Sequence, residues 1–261
     1  MTNLYAIVTN YFVCFLTGSI VNREIPLSRG MIQTEWFPYA LFLSLTFIIF
    51  FNVNAYTIQK VGMIITSVFQ KLSLIFPAIL GFVIFGEEGS VSKYIAIGLA
   101  VMSIILINIK KSSDVDMAAQ IKTYWYWPFV VLFGSGLIET LLFYVEQTGK
   151  VVNAGVDFVS ILFFLAGCWG LLFMTLTNQF IKVKRNDLIA GVLIGVPNFF
   201  TIYLIIKGLE VGYDGSVLFP LNNVGVIVTV AIVGILFFKE KLSIINYLGL
   251  GMALVSVYLI S

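Results

Sequence analysis

The sequence predicts an all-α membrane protein of nine transmembrane helices in two inverted-topology repeats, four helices followed by five. Three observations carry this reading. Of 261 residues, 60% are hydrophobic and 11% charged, and the mean hydropathy is +1.03. A water-soluble domain carries about 25% charged residues, so polar groups cannot cover this surface and lipid must. The apolar residues fall into nine continuous runs, each close to the roughly 20 residues that span a bilayer as a helix. A stretch opening at Val61-Gly62 also recurs, opening at Val211-Gly212.

The runs lie at about 3–21, 36–57, 62–85, 92–109, 126–146, 156–180, 187–206, 213–238 and 243–260. Membrane-barrel strands are about 10 residues long and alternate in polarity, which these runs do not. Met1-Thr2-Asn3-Leu4 lacks the positive start of a signal peptide, and no small-residue cleavage site follows, so 3–21 is expected to be a retained span. The longest loop holds Lys110, Lys111, Asp114, Asp116 and Lys122, and Tyr124-Trp125-Tyr126-Trp127 follows it as an aromatic belt at re-entry. This loop divides the chain into a first repeat at 1–110, a connection at 111–125 and a second repeat at 126–261. Phe85-Gly86-Glu87-Glu88 closes the third run as Phe238-Lys239-Glu240-Lys241 closes the eighth. Ser90 to Tyr94 then matches Ser243 to Tyr247. An odd number of crossings relates the third run to the eighth, so the two copies enter the membrane upside down relative to each other.

These pieces resemble the drug/metabolite transporter superfamily, in its ten-helix EamA-like branch. The resemblance rests on a Pro-bearing helix followed by a Gly-Glu turn, Ile75-Phe76-Pro77 then Gly86-Glu87-Glu88. In the second copy it rests on Phe219-Pro220-Leu221-Asn222-Asn223, then Phe238 to Lys241, with a last helix of the type Gly-x-Gly-Met-Ala-Leu-Val from Gly249 to Val255. It covers essentially the whole chain. It implies two inverted five-helix repeats around a central cavity and movement of small organic solutes by alternating access. Residues 3–21 match the family's second helix, so the chain is expected to lack the first.

Polar groups at membrane depth are the candidate site. Lys71 lies near the middle of the third run, where a cation costs at least about 2.5–3.5 kcal/mol and therefore faces a polar interior. Ser67 shares its helix face four residues earlier, and Gln70 adjoins it. Glu139 is the one carboxylate well inside a run and the natural counter-charge to Lys71. The two could form a static pair that glues helices or a pair that a solute or proton opens. Asn222 and Asn223 fall 10 and 11 residues after Gly212, as Lys71 falls 9 after Gly62. Asn10 and Asn198 complete the candidate solute-binding set, with interhelical hydrogen bonding as their competing role. Prolines 77, 197 and 220 are expected to break their helices locally. Asn52, Asn54, Tyr56 and Gln59 read as interfacial. Glu87 and Glu88 read as a solvated turn, and Gly191 and Gly195 as a helix-packing Gly-x-x-x-Gly pair.

The chain has no histidine, and Cys14 and Cys168 lie in different runs, so both cysteines are expected to be packing residues. No metal, no cofactor, no catalytic nucleophile and no phosphate loop is expected, and the basic residues are too scattered for nucleic acid. The expected function is that of a secondary transporter, not an enzyme. It would move small polar or amphipathic, amino-acid-like metabolites across the bacterial inner (plasma) membrane. Its partners would be a small-molecule solute and the lipid bilayer, and its state monomer or homodimer. The alternative is a non-transporting receptor or partner-binding subunit that keeps the fold.

Overall fold

The computed structural model describes residues 4–108, 123–152, 154–176, 185–238 and 243–260. Its helices are α1 (Leu4–Asn22), α2 (Phe37–Val61), α3 (Met63–Lys71), α4 (Ile75–Val83), α5 (Val91–Asn108), α6 (Trp127–Gln147), α7 (Gly155–Leu176), α8 (Arg185–Glu210), α9 (Gly215–Phe238) and α10 (Ile244–Ile260). Short 3₁₀ turns at Arg29–Gln33 and Leu72–Leu74 complete the regular structure, and no strand occurs among the described residues. With α3 and α4 as one interrupted span, each of the nine apolar runs corresponds to one helical segment. Seven segments are long and apolar enough to cross a membrane, and two, Val91–Ile107 and Ile244–Leu259, are shorter apolar helices. The loop residues 109–122 and the turn at 239–242 lie outside the described residues.

The chain forms two compact units, and each draws on both halves of the sequence. Unit one is Met1–Asn52 with Leu141–Gly212; unit two is Val53–Thr140 with Tyr213–Ser261. The division falls inside α2 and α6. The repeats read from the sequence are therefore not the packed bodies.

Unit one is built on α1, which packs against α7 and α8. Glycines make this possible. A Cβ on Gly191 would fall 2.7 Å from the Ala6 carbonyl oxygen, and one on Gly195 would fall 2.9 Å from that of Asn10. The α1 and α8 backbones thus touch through the Gly-x-x-x-Gly pair, in a medium where close van der Waals fit replaces the hydrophobic effect between helices. Tyr11, Phe158, Phe163 and Phe199 fill the interior, with Tyr11 and Phe163 ring centroids 5.8 Å apart. Cys14 belongs to this interior, whereas Cys168, expected to pack, is exposed on the outer face of α7.

Unit two is built on the antiparallel pair α5 and α10. Ser92 Oγ donates to the Leu259 carbonyl at 2.8 Å, Ser256 Oγ to Ala96 at 2.7 Å, and Asn246 Nδ2 to Ile107 at 2.8 Å. Leu74, Ala100, Ile104, Val224 and Ala253 form its buried cluster, which joins the α3–α4 junction to α5, α9 and α10. At one end Trp127 packs on Tyr56 with centroids 4.8 Å apart, and Lys60 Nζ sits 5.2 Å from the Tyr124 ring centroid. The aromatic belt therefore holds a cation–π contact.

Two proline expectations are corrected. Pro197 lies inside an uninterrupted α8 and Pro220 inside an uninterrupted α9. In packed membrane helices, side chains and local adjustments re-satisfy the backbone groups that proline frees. Among the described residues, the span bearing Pro77 changes pitch, tightening to 3₁₀ at Leu72–Leu74 while its backbone stays helical from Met63 to Val83. The matching glycines Gly62 and Gly212 share a backbone state, φ +98° and +102°, that side-chain-bearing residues rarely adopt.

Candidate functional site

The 3₁₀ turn in the third span carries part of the site. In a continuous helix the Pro77 ring would clash with the Ser73 carbonyl. Here Pro77 is the third residue of α4, where a missing N–H matters little, and the chain tightens into a 3₁₀ turn at Leu72–Leu74 just before it. The turn carries Ser73, fully buried, towards α6. Ser73 Oγ lies 2.9 Å from Glu139 Oε2, and Asn223 Nδ2, from buried α9, donates to Glu139 Oε1 at 3.1 Å. Three elements of unit two thus meet at one carboxylate. Ser73 Oγ is also 2.6 Å from the Gln70 carbonyl, so its single proton has two competing acceptors.

Lys71 is the last residue of α3 before the 3₁₀ turn. The charges of Lys71 and Glu139 are close enough to act on each other. They are not in contact, however: among the described residues no carboxylate oxygen comes within 4.0 Å of Lys71 Nζ, although Lys93, Lys150 and Lys207 each have such a partner. The contact pair expected from the sequence is therefore replaced by a carboxylate held by two neutral donors with a half-buried ammonium beside it. The reason is local, since Ser73 faces Glu139 and Lys71, two residues earlier, points to another side of the helix.

The other expected residues divide sharply. Gln70 Oε1 accepts a long bond from Asn54 Nδ2 at 3.4 Å, which ties α2 to α3 within unit two. Ser67 Oγ donates within its own helix, to the Met63 carbonyl at 2.7 Å. Asn222 is half-buried beside Asn223, with no side-chain hydrogen bond among the described residues. Asn10 and Asn198 belong to unit one. There Asn198 Nδ2 donates to Asn10 Oδ1 at 3.3 Å, and the Cys14 thiol donates to the Gly195 carbonyl at 3.1 Å. This knot is neutral and lies on the glycine-packed seam of α1 and α8.

Ser73 was missed because it lies on a different helix face from Ser67 and Lys71, the face that meets Glu139. Glu87 was read as part of a solvated turn and is corrected. Its carboxylate accepts from the Gly215 N–H at 2.6 Å and from the Ser216 N–H at 3.0 Å, capping α9 from another element. Such a cap satisfies two orphan donors and opposes the positive end of the helix dipole. Lys93 Nζ reinforces it, bridging the Glu88 carbonyl at 2.9 Å and Asp214 at 2.5 Å. α9, which carries Asn223, is thereby fastened to the turn that follows α4. Unit one has a separate polar recess of about 190 Å³, lined by Asn22, Asp157, Tyr203, Lys207 and Glu210. It lies at the ends of α1, α7 and α8, and none of the expected site residues lines it.

Comparison with known proteins adds the family. The EamA-like transporter family matches residues 2–109. An uncharacterized protein of Haemophilus influenzae is 30% identical over 231 residues, covering 87% of this chain and 76% of that protein. A solved crystal structure superposes with a TM-score of 0.79 over 99% of this chain and 87% of its own, at 10% identity, which shows a shared fold. The members of the matched family are membrane transporters of the drug/metabolite transporter superfamily. The apolar helical segments among the described residues and these matches lead to one conclusion: the chain is an integral membrane protein that belongs to the EamA-like transporter family.

Proposed function

We propose that the chain is a secondary transporter of small polar or amphipathic, amino-acid-like metabolites in the bacterial inner (plasma) membrane, working by alternating access. The observation that carries this is the Glu139 carboxylate, held by Ser73 and Asn223 in the same unit as Lys71. Ionisable groups at membrane depth mark solute or ion pathways, and a 3₁₀ stretch inside a helix often marks a functional hinge. Lys71, Glu139, Asn222 and Asn223 are the solute-facing residues in this reading, with Ser67 and Gln70 shaping the approach. Asn10 and Asn198 act as packing residues. The two inverted copies read from the sequence supply the two-fold exchange that alternating access needs, and the transporter works as a monomer or homodimer.

Uptake into vesicles reconstituted with the full chain tests this. Accumulation of an amino-acid-like solute above empty vesicles, reduced severalfold by Lys71→Ala, is the expected result. Equal uptake by parent and variant would remove Lys71 from the mechanism, and no uptake by the parent would remove the transporter reading.

A further inference from the structure

Glu139 and Lys71 are opposite charges in one unit, yet their surroundings differ. Each oxygen of Glu139 already meets a neutral donor, Ser73 Oγ at 2.9 Å and Asn223 Nδ2 at 3.1 Å. Lys71 Nζ has neither a carboxylate within 4.0 Å nor a hydrogen bond to any described residue. It is partly buried within its unit, at the end of α3 where the 3₁₀ turn begins. Asn223 donates to Glu139, and Ser73 offers it a proton shared with the Gln70 carbonyl, so the carboxylate has neutral partners at hand without a solute cation. An ammonium at membrane depth with no contact anion is not.

Resting on the transporter reading, we infer that Lys71 is the subsite for an anionic group of the solute, a carboxylate, and that this group is obligatory while the solute's ammonium is dispensable. The substrate class then extends from amino acids to 2-hydroxy acids of the same side chain, and excludes amino-acid amides. Ser73 and Asn223 keep Glu139 satisfied when a solute brings no cation. A solute that brings no anion leaves Lys71 uncompensated.

The experiment uses the full chain in vesicles, with three matched probes: L-leucine, L-leucinamide and 2-hydroxy-4-methylpentanoate. The hydroxy acid is expected to compete for L-leucine counterflow within about threefold of L-leucine itself. The amide is expected to be at least about tenfold weaker, the scale of one lost charge-assisted hydrogen bond. Lys71→Met should bring acid and amide together, and Lys71→Arg should restore the preference for the acid. Because the acid–amide comparison is made on the parent chain, it stands even if a variant fails to fold. An amide as effective as the acid, or a hydroxy acid weaker by tenfold or more, overturns the inference and leaves the transporter reading intact. Failure of all three probes, and of every other amino acid in the same assay, overturns both.

Discussion

Both units bury polar side chains among apolar helices, and they do so in opposite ways. In unit one the group is neutral, with Asn10, Asn198 and Cys14 satisfied by one another and by the Gly195 carbonyl, on a seam where two backbones touch. In unit two the group is charged, and the helix that brings Ser73 to Glu139 tightens to 3₁₀ pitch there. Unit one also contains a proline, Pro197, and its helix stays α throughout. The comparison teaches that neither proline nor polarity alone marks a site. A buried carboxylate does, because a charge is expensive in lipid and must be held from several elements at once.

The largest test of this contrast is Glu139→Leu. Asn223 loses its acceptor, at about 1–3 kcal/mol, while Ser73 keeps the Gln70 carbonyl, and uptake should vanish; denaturant unfolding in micelles alongside vesicle uptake reads both. If uptake persists, the charged group is glue like its counterpart. Next comes Gly195→Val, whose Cβ would meet Val13 at 2.7 Å and the Asn10 carbonyl oxygen at 2.9 Å. Overpacking there should cost about 1–3 kcal/mol, lowering the melting temperature while leaving the ranking of solutes as in the parent. Glu87→Gln removes a charge from the α9 terminus, worth about 0.3–1 kcal/mol. Because α9 carries Asn223, solute affinity should fall along with stability, whereas a purely local cap would move stability alone. The smallest effect is expected for Asn10→Ala, about 0.6 kcal/mol as an average interhelical hydrogen bond in a membrane, resolved by the same unfolding measurement.

The helical layout was legible because a membrane span writes a long, uninterrupted signal. All nine runs coincide with helical segments, and the disagreements are confined to their ends. Lys71 and Glu139 stood out for the same reason, as charges where lipid allows few. What the sequence concealed depends on backbone detail or on distance along the chain. Ser73 meets Glu139 across 66 residues of sequence, a pairing no local pattern announces. The partners of Glu87 lie 128 and 129 residues away, so a Gly-Glu-Glu turn gives no local sign of its role. The contact between Lys71 and Glu139 was inferred from charge alone, and neutral donors took its place.

The interleaving of the two units has a consequence for biogenesis. The partners of α1 on α7 and α8 emerge from the ribosome more than 130 residues after it. The first helix must therefore rest in the bilayer with its seam of Asn10 and Cys14 turned to whatever lipid or insertion machinery shelters it. Severing the chain in its central loop would leave neither fragment with a finished core, and co-synthesis of the two pieces, not either one alone, should recover the assembled protein.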